Sequence, residues 1–256
     1  MADHSTSRKR DRDNSSQDDC QIPVGGTQRG AISCVRKGMV ILKGFLSAQE
    51  QAGLVAHVDR LGEHQHGGFY SCHNEKTKRM RMMNLGLKTD GNKHALQIPR
   101  AWTELALRAC HLAAEMDPSI PVLRPNICVV NHYTAASRLG WHQDLFSARD
   151  PGLPVISISL GQPATFQYRV SWKKTAAIKS VRLESGDALI FGGRSRGIIH
   201  GVPGIVSSTG RTMTAAAAAA AAAGAAAGGG EDRGVGFVTP CVVPGGGRFN
   251  LNFREL

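Results

Sequence analysis

The sequence predicts a mainly β fold with flanking helices (α+β), and three observations carry that reading. From Arg124 onward nine short β-type runs follow one another: NICVVNHY, LGWHQD, PVISISLG, ATFQYRV, KSVRL, DALIFGG, GIIHGV, GFVTPCVV and RFNLNFR. Turn residues separate them at close spacing, the pattern of an all-β sandwich or barrel. Two stretches with helical periodicity precede the runs. A chain of 256 residues fits one ordinary domain with appendages and can bury a real core.

The elements follow in order. Residues 1–36 read as a disordered tail, rich in Ser, Asp, Arg and Gln, with six Lys/Arg against five Asp/Glu. RKRDR within it is a solvated charge run or a nuclear-import patch. The tail has no apolar h-region, which argues against a signal or transit peptide. MVIL with GF reads as a strand. Ser47 is then an N-cap with Glu50 three positions on, and Leu54, Val55 and Val58 give an amphipathic helix ending near Gly62. Residues 63–100 show little periodicity, with GGFY and MRMMNLG as short strands. His64, His66 and His73 share no ligand spacing with a fourth partner and are read as loop histidines. Ala101 to Met116 is helical by Leu105, Leu107, Cys110 and Leu112, and Asp117-Pro118 ends it. The Ala/Gly tract at 214–230 interrupts the β region as a surface loop without chemistry.

Charge and cysteine usage narrow the function classes. The net charge is +11, and the excess belongs to the body, concentrated at Lys76 to Arg100 and Arg169 to Arg182. Such a field favours polyanionic partners. Six Cys without a CxxC pair suggest neither a zinc site nor a disulfide framework, and a reducing intracellular compartment, nucleus or cytoplasm, is expected. Ala and Gly are too weakly hydrophobic for a membrane span, so no membrane partner is expected.

The chemistry lies in three places. His142 and Asp144 stand two residues apart, so an extended strand presents both side chains on one face. With His200, in IIHGV, they form the 2-His-1-carboxylate set that holds Fe(II) with open positions. RFNLNFR alternates: Arg248, Asn250, Asn252 and Arg254 on one face, Phe249, Leu251 and Phe253 on the other. Inward cations backed by core aromatics call for an anion. A dicarboxylate suits them, because guanidinium binds carboxylate through paired charge-assisted hydrogen bonds. At about 3.3 Å per residue the two Arg Cα atoms lie roughly 20 Å apart, so one carboxylate does not engage both.

The order NxYxxxxxxxxHxD, then H, then RxNxxxR resembles the AlkB-type Fe(II)/2-oxoglutarate dioxygenases, which oxidatively dealkylate nucleic acids. VISISLGQPATFQY and LESGDALIFGGRSRGIIHGV also look like that family, and the likeness runs from about Gly38 to Arg254. The resemblance implies a double-stranded β-helix, or jelly roll, over 124–256, preceded by an extension over 37–123 with helices and a nucleotide-recognition lid. It implies Fe(II), 2-oxoglutarate and O2, with iron on His142, Asp144 and His200. Arg248, Tyr133 and Asn250 would take the distal carboxylate of 2-oxoglutarate; Arg254 and Asn131 would serve the end that chelates iron. The implied partner is nucleic acid, DNA or RNA, with the target base single-stranded or flipped out, and the chain is expected to act as a monomer. Phe69, Tyr70 and Trp141 are candidates for stacking on the base, and Lys173 for contact with the substrate strand. Phe146 stands where the bacterial type carries an acidic residue, which leaves the modified base open. An oxygenase acting on protein or small molecules, or an inactive nucleic-acid binding module, are the competing readings.

Overall fold

The computed structural model describes residues 30–87, 96–206 and 241–256. Two antiparallel sheets enclose the site. The major sheet runs β1 (Ile32–Arg36), β2 (Met39–Leu42), β11 (Ala188–Phe191), β8 (Val155–Gly161), β13 (Arg248–Arg254), β6 (Ile127–Tyr133), β5 (Met80–Gly86) and β3 (Tyr70–Cys72). The minor sheet runs β10 (Lys179–Leu183), β9 (Ala164–Arg169), β12 (Ile199–Val202), β7 (Arg138–His142) and β4 (Thr77–Lys78). Helices α1 (Ala48–Gly62) and α2 (Arg100–Met116) cover the outer face of the major sheet.

Period-2 alternation divides the major sheet into two environments. Val40, Ile156, Ile158, Leu160, Phe249, Leu251 and Phe253 point outward beneath Leu54, Val58, Trp102 and Leu105 of the helices. Alternate residues point between the sheets, where Met39, Ile41, Val155 and Leu189 meet Phe166, Tyr168 and Leu183. Burial on both faces explains why MVIL and VISISLG read as near-continuous runs rather than as half-exposed strands.

The N-terminal end of α1 is held by local chemistry. The Ser47 hydroxyl accepts from the Glu50 amide at 3.2 Å, and the Glu50 carboxylate accepts from the Ser47 amide at 2.8 Å. Glu50 also pairs with Arg108 of α2 at 2.8 Å, tying the helices together. Ser47→Ala is therefore expected to lower the unfolding free energy by about 1 kcal/mol, read as a shifted urea midpoint with unchanged slope.

Two expectations need correction. Ile32–Arg36 is not part of a disordered tail: it is strand β1, closed onto β2 by a two-residue Lys37-Gly38 turn in which Gly38 has φ +80°. Its half-exposed edge position leaves little hydrophobic signal. Within 37–123, β2, β5 and β3 hydrogen-bond into the major sheet and β4 into the minor one. β4 itself, two residues long, has no sequence signal. Of GFVTPCVV, Cys241 to Val243 is not strand, and the rest lies outside the described residues, as do the Ala/Gly tract and residues 1–29.

Candidate active site

Strand pairing brings the two histidines together. His142 ends β7 and His200 is the second residue of β12, and the two are direct partners in antiparallel register. Their ring centroids lie 4.3 Å apart. Gly201 allows this approach: a Cβ there would stand 2.8 Å from the Leu139 carbonyl oxygen. Asp144 is not on the strand, as the two-residue spacing predicts, but just beyond its end. What aims it is Arg196, 3 % exposed. The Arg196 guanidinium donates to the main-chain carbonyls of Leu153 (2.8 Å), Asp144 (3.4 Å) and Leu145.

The carboxylate therefore meets both imidazoles. Asp144 Oδ2 lies 3.5 Å from His200 Nε2, and Asp144 Oδ1 lies 4.0 Å from His142 Nε2. One ligand atom from each residue falls within 4.8 Å of the others. Each histidine turns Nδ1 to a main-chain carbonyl, Gly140 at 2.9 Å and Ile198 at 3.4 Å. An Nδ1–H donated there leaves Nε2 unprotonated and facing the shared centre. Burial pushes the His200 pKa down to about 4, so its ring is neutral. Burial alone would raise the Asp144 carboxyl, but neighbouring cations, the Arg254 guanidinium first among them and Arg196 behind it, outweigh it and hold the group below the usual carboxylate range. Two imidazoles with Nε2 turned inward and one carboxylate fit Fe(II).

The same cavity, about 350 Å³, continues to a buried cation. Arg248 is 1 % exposed and opens β13, with Tyr133 of β6 beside it on one side and Gly161 of β8 on the other. Its Nη2 donates to Ser159 Oγ at 2.6 Å, while its Nε has no hydrogen-bonding partner. Burial pulls its pKa down to about 10, with partial compensation from Tyr133 and Asp187. No carboxylate lies within salt-bridge distance of Arg248 among the described residues. The Tyr133 hydroxyl is likewise buried, with the Asn131 side chain beside it. Asn250 sits two residues on, anchored by Ser157 Oγ at 2.8 Å and paired across the ladder with Asn131. A buried guanidinium without a carboxylate partner and a buried phenol side by side fit an incoming carboxylate.

The chain matches the model of the 2OG-Fe(II) oxygenase superfamily over residues 38–254. It belongs to that superfamily. This oxygenase is 35% identical over 202 residues to the DNA N(6)-methyladenine demethylase ALKBH1C of Arabidopsis thaliana, covering 68% of this chain and 44% of that protein. It is 34% identical over 111 residues to the alpha-ketoglutarate-dependent dioxygenase AlkB of Escherichia coli (strain K12), covering 43% of this chain and 48% of that one. The chain thus spans less than half the length of either. The solved structure of OsALKBH1 superposes with TM-score 0.68 at 29% identity, covering 88% of this chain and 100% of that one. The oxygenases share the jelly-roll arrangement seen here.

The remaining site expectations divide. Arg254 lines the cavity with one Nη 3.3 Å from Asp144 Oδ1, while its Nε is buried without a hydrogen bond, so the contact with the carboxylate leaves donors over for a ligand. Tyr70 lines the cavity mouth, 40 % exposed. Phe69 does not: it stacks on Phe249 (5.8 Å) and His132 (5.6 Å), on the helix side of the sheet. Trp141 precedes His142 on β7, so alternation turns it to the outside of the minor sheet. Lys173 is exposed in the β9–β10 connection. Sequence reasoning missed Ser157, Ser159 and Arg196. The ISIS alternation is a usable signal for the two serines, because a hydroxyl at every second position of a fully buried strand needs a polar partner. Arg196 offers no such signal, since only the folded loop gives it three carbonyls to hold.

Proposed function

We propose that this chain catalyses Fe(II)/2-oxoglutarate-dependent oxidative demethylation of N-alkylated bases in DNA or RNA, releasing aldehyde, succinate and CO2. The observation that carries the reading is the continuity of one cavity from a His142–Asp144–His200 ligand set to the unpaired buried cation Arg248. When bound, Fe(II) with 2-oxoglutarate and O2 supplies the oxidising chemistry. The residues do the rest. His142, Asp144 and His200 hold the metal; Arg254 and Arg196 keep Asp144 ionised and aimed. Arg248, with Tyr133 and Asn250, takes the distal carboxylate of 2-oxoglutarate, and Asn131 lies toward its chelating end.

The substrate class is supported by the relatives' names and by the basic body of the chain. A site this recessed admits a base only when it is single-stranded or flipped out. Of the aromatic candidates, Tyr70 at the mouth is the one proposed to stack on it. No helix of the described residues is long and apolar enough to cross a membrane, and we read the enzyme as an intracellular monomer. The test is succinate and formaldehyde release from a single-stranded oligonucleotide carrying N6-methyladenine, against its unmodified counterpart. Succinate stimulated by the methylated strand alone is expected. Equal, low turnover with both would point to a protein or small-molecule substrate, and none with either to a binding module.

A salt titration tests the electrostatic part. Lys173 and Lys174 are exposed beside Ser171 at the β9–β10 connection. If they neutralise phosphates, log affinity falls with log salt by roughly 0.7 per phosphate on a single strand. Lys173→Glu with Lys174→Glu is expected to flatten that slope and leave the 2-oxoglutarate requirement unchanged; an unaltered slope removes both lysines from the substrate path.

A further inference from the structure

Outside the cavity, a second feature of the minor sheet is not used by the site. The Arg169 guanidinium lies 4.9 Å from the Trp141 ring centroid and 5.5 Å from that of Trp172, so two indoles flank one cation. Its Nε is buried without a hydrogen bond. Trp172 itself is 54 % exposed, and beside it Val170 and Ile178 are 65 % and 56 % exposed. The sequence between Asp150 and Glu184 contains no Asp or Glu, yet holds Arg169, Lys173, Lys174, Lys179 and Arg182. Large apolar groups and cations thus share the β9–β10 hairpin at the sheet's edge, and of these cations Arg182 pairs with Glu184 at 3.0 Å.

Its position relates it to the cavity. Arg169, the last residue of β9, pairs with Ile199, one residue before His200, and Trp141 adjoins His142. The strip therefore backs the end of the minor sheet where the two histidines meet. Exposed Gln143 and Leu145 line the cavity at that same end. A strand that sends one base into the cavity can leave around this end and cross the strip.

We infer that the strip from Trp141 through Arg169 to Trp172 is a docking surface for the single-stranded nucleic acid flanking the target base. This rests on the nucleic-acid reading proposed above. The chemistry matches on both counts: bases present flat π-faces to Trp172, and phosphates present negative charge to the lysines and Arg169. With Arg169 5.5 Å from its centroid and more than half its surface exposed, the Trp172 ring offers a base an accessible platform next to a cation. A lipid surface also combines apolar and anionic groups, and it is one of the outcomes that the test distinguishes.

The test is fluorescence anisotropy on the full chain, with a trinucleotide and a fifteen-nucleotide single strand, each bearing one N6-methyladenine. Trp172→Ala is expected to weaken the long strand roughly five- to a hundredfold while sparing the trinucleotide, and Trp172→Phe to restore most of it. Unchanged affinity for the long strand overturns the inference. So does an equal loss at both lengths accompanied by a lower thermal midpoint, or Trp172-dependent capture by phosphatidylserine vesicles without any effect on the long strand. Succinate assays on the same samples separate the two claims. Length-dependent, Trp172-dependent binding without demethylation sinks the proposed activity and keeps the strip; demethylation with binding indifferent to Trp172 sinks the strip alone.

Discussion

His142→Ala and His200→Ala are each expected to abolish 2-oxoglutarate-dependent turnover, by well over about a hundredfold, with the far-ultraviolet circular dichroism unchanged. Removing a group that merely hydrogen-bonds a metal ligand already costs roughly 10–100-fold, and loss of a ligand removes more. The readout beside activity is Fe(II) or Co(II) affinity, which should fall in parallel. The Asp144 variant behaves differently from the histidine ones. Asp144 neutralises Arg254 at 3.3 Å and lies close to Arg196, so Asp144→Ala leaves buried cations unopposed and should also lower thermal stability. Asp144→Asn keeps the shape and removes the charge. Near wild-type metal affinity in any of the three positions would remove that residue from the ligand set.

Arg248→Leu is expected to raise the 2-oxoglutarate requirement by roughly 30-fold or more, the equivalent of about 2 kcal/mol or upward for breaking a buried charge pair. Oligonucleotide affinity should hardly move. Stability provides an independent sign. Arg248 is 1 % exposed and has no carboxylate partner, so its guanidinium is a burden on the fold until an anion arrives. The variant should therefore unfold at the same temperature as wild type or higher. Conversely, 2-oxoglutarate at about 100 times its Kd should stabilise the wild-type chain by about 2.7 kcal/mol and the variant scarcely at all. A variant that loses stability and keeps its 2-oxoglutarate response would make Arg248 a structural residue.

Much of this was legible in the chain itself. The alternation in RFNLNFR determined which side chains share a face, and the sheet keeps that division: Phe249, Leu251 and Phe253 under the helices, Arg248, Asn250 and Arg254 toward the cavity. The capping box at Ser47 and Glu50 determined where α1 begins, because its hydrogen bonds are local. His142, Asp144 and His200 were identifiable by type and order.

What only the tertiary structure decided is whatever depends on contacts between distant segments. The register that sets His200 opposite His142 comes from the pairing of β12 with β7, and the chain sequence does not encode that offset locally. Asp144 is aimed by Arg196 across the fold, not by strand alternation. Arg254 also reaches Asp144 Oδ1 at 3.3 Å, because the HxD loop folds against the end of β13, a contact that strand alternation alone does not specify. Phe69 and Trp141 are aromatic and near the motifs, but the pleat turns each away from the cavity, one into the helix layer and one onto Arg169. Residue type and spacing specify which chemistry a chain can hold; side-chain direction across two packed sheets specifies where it is held.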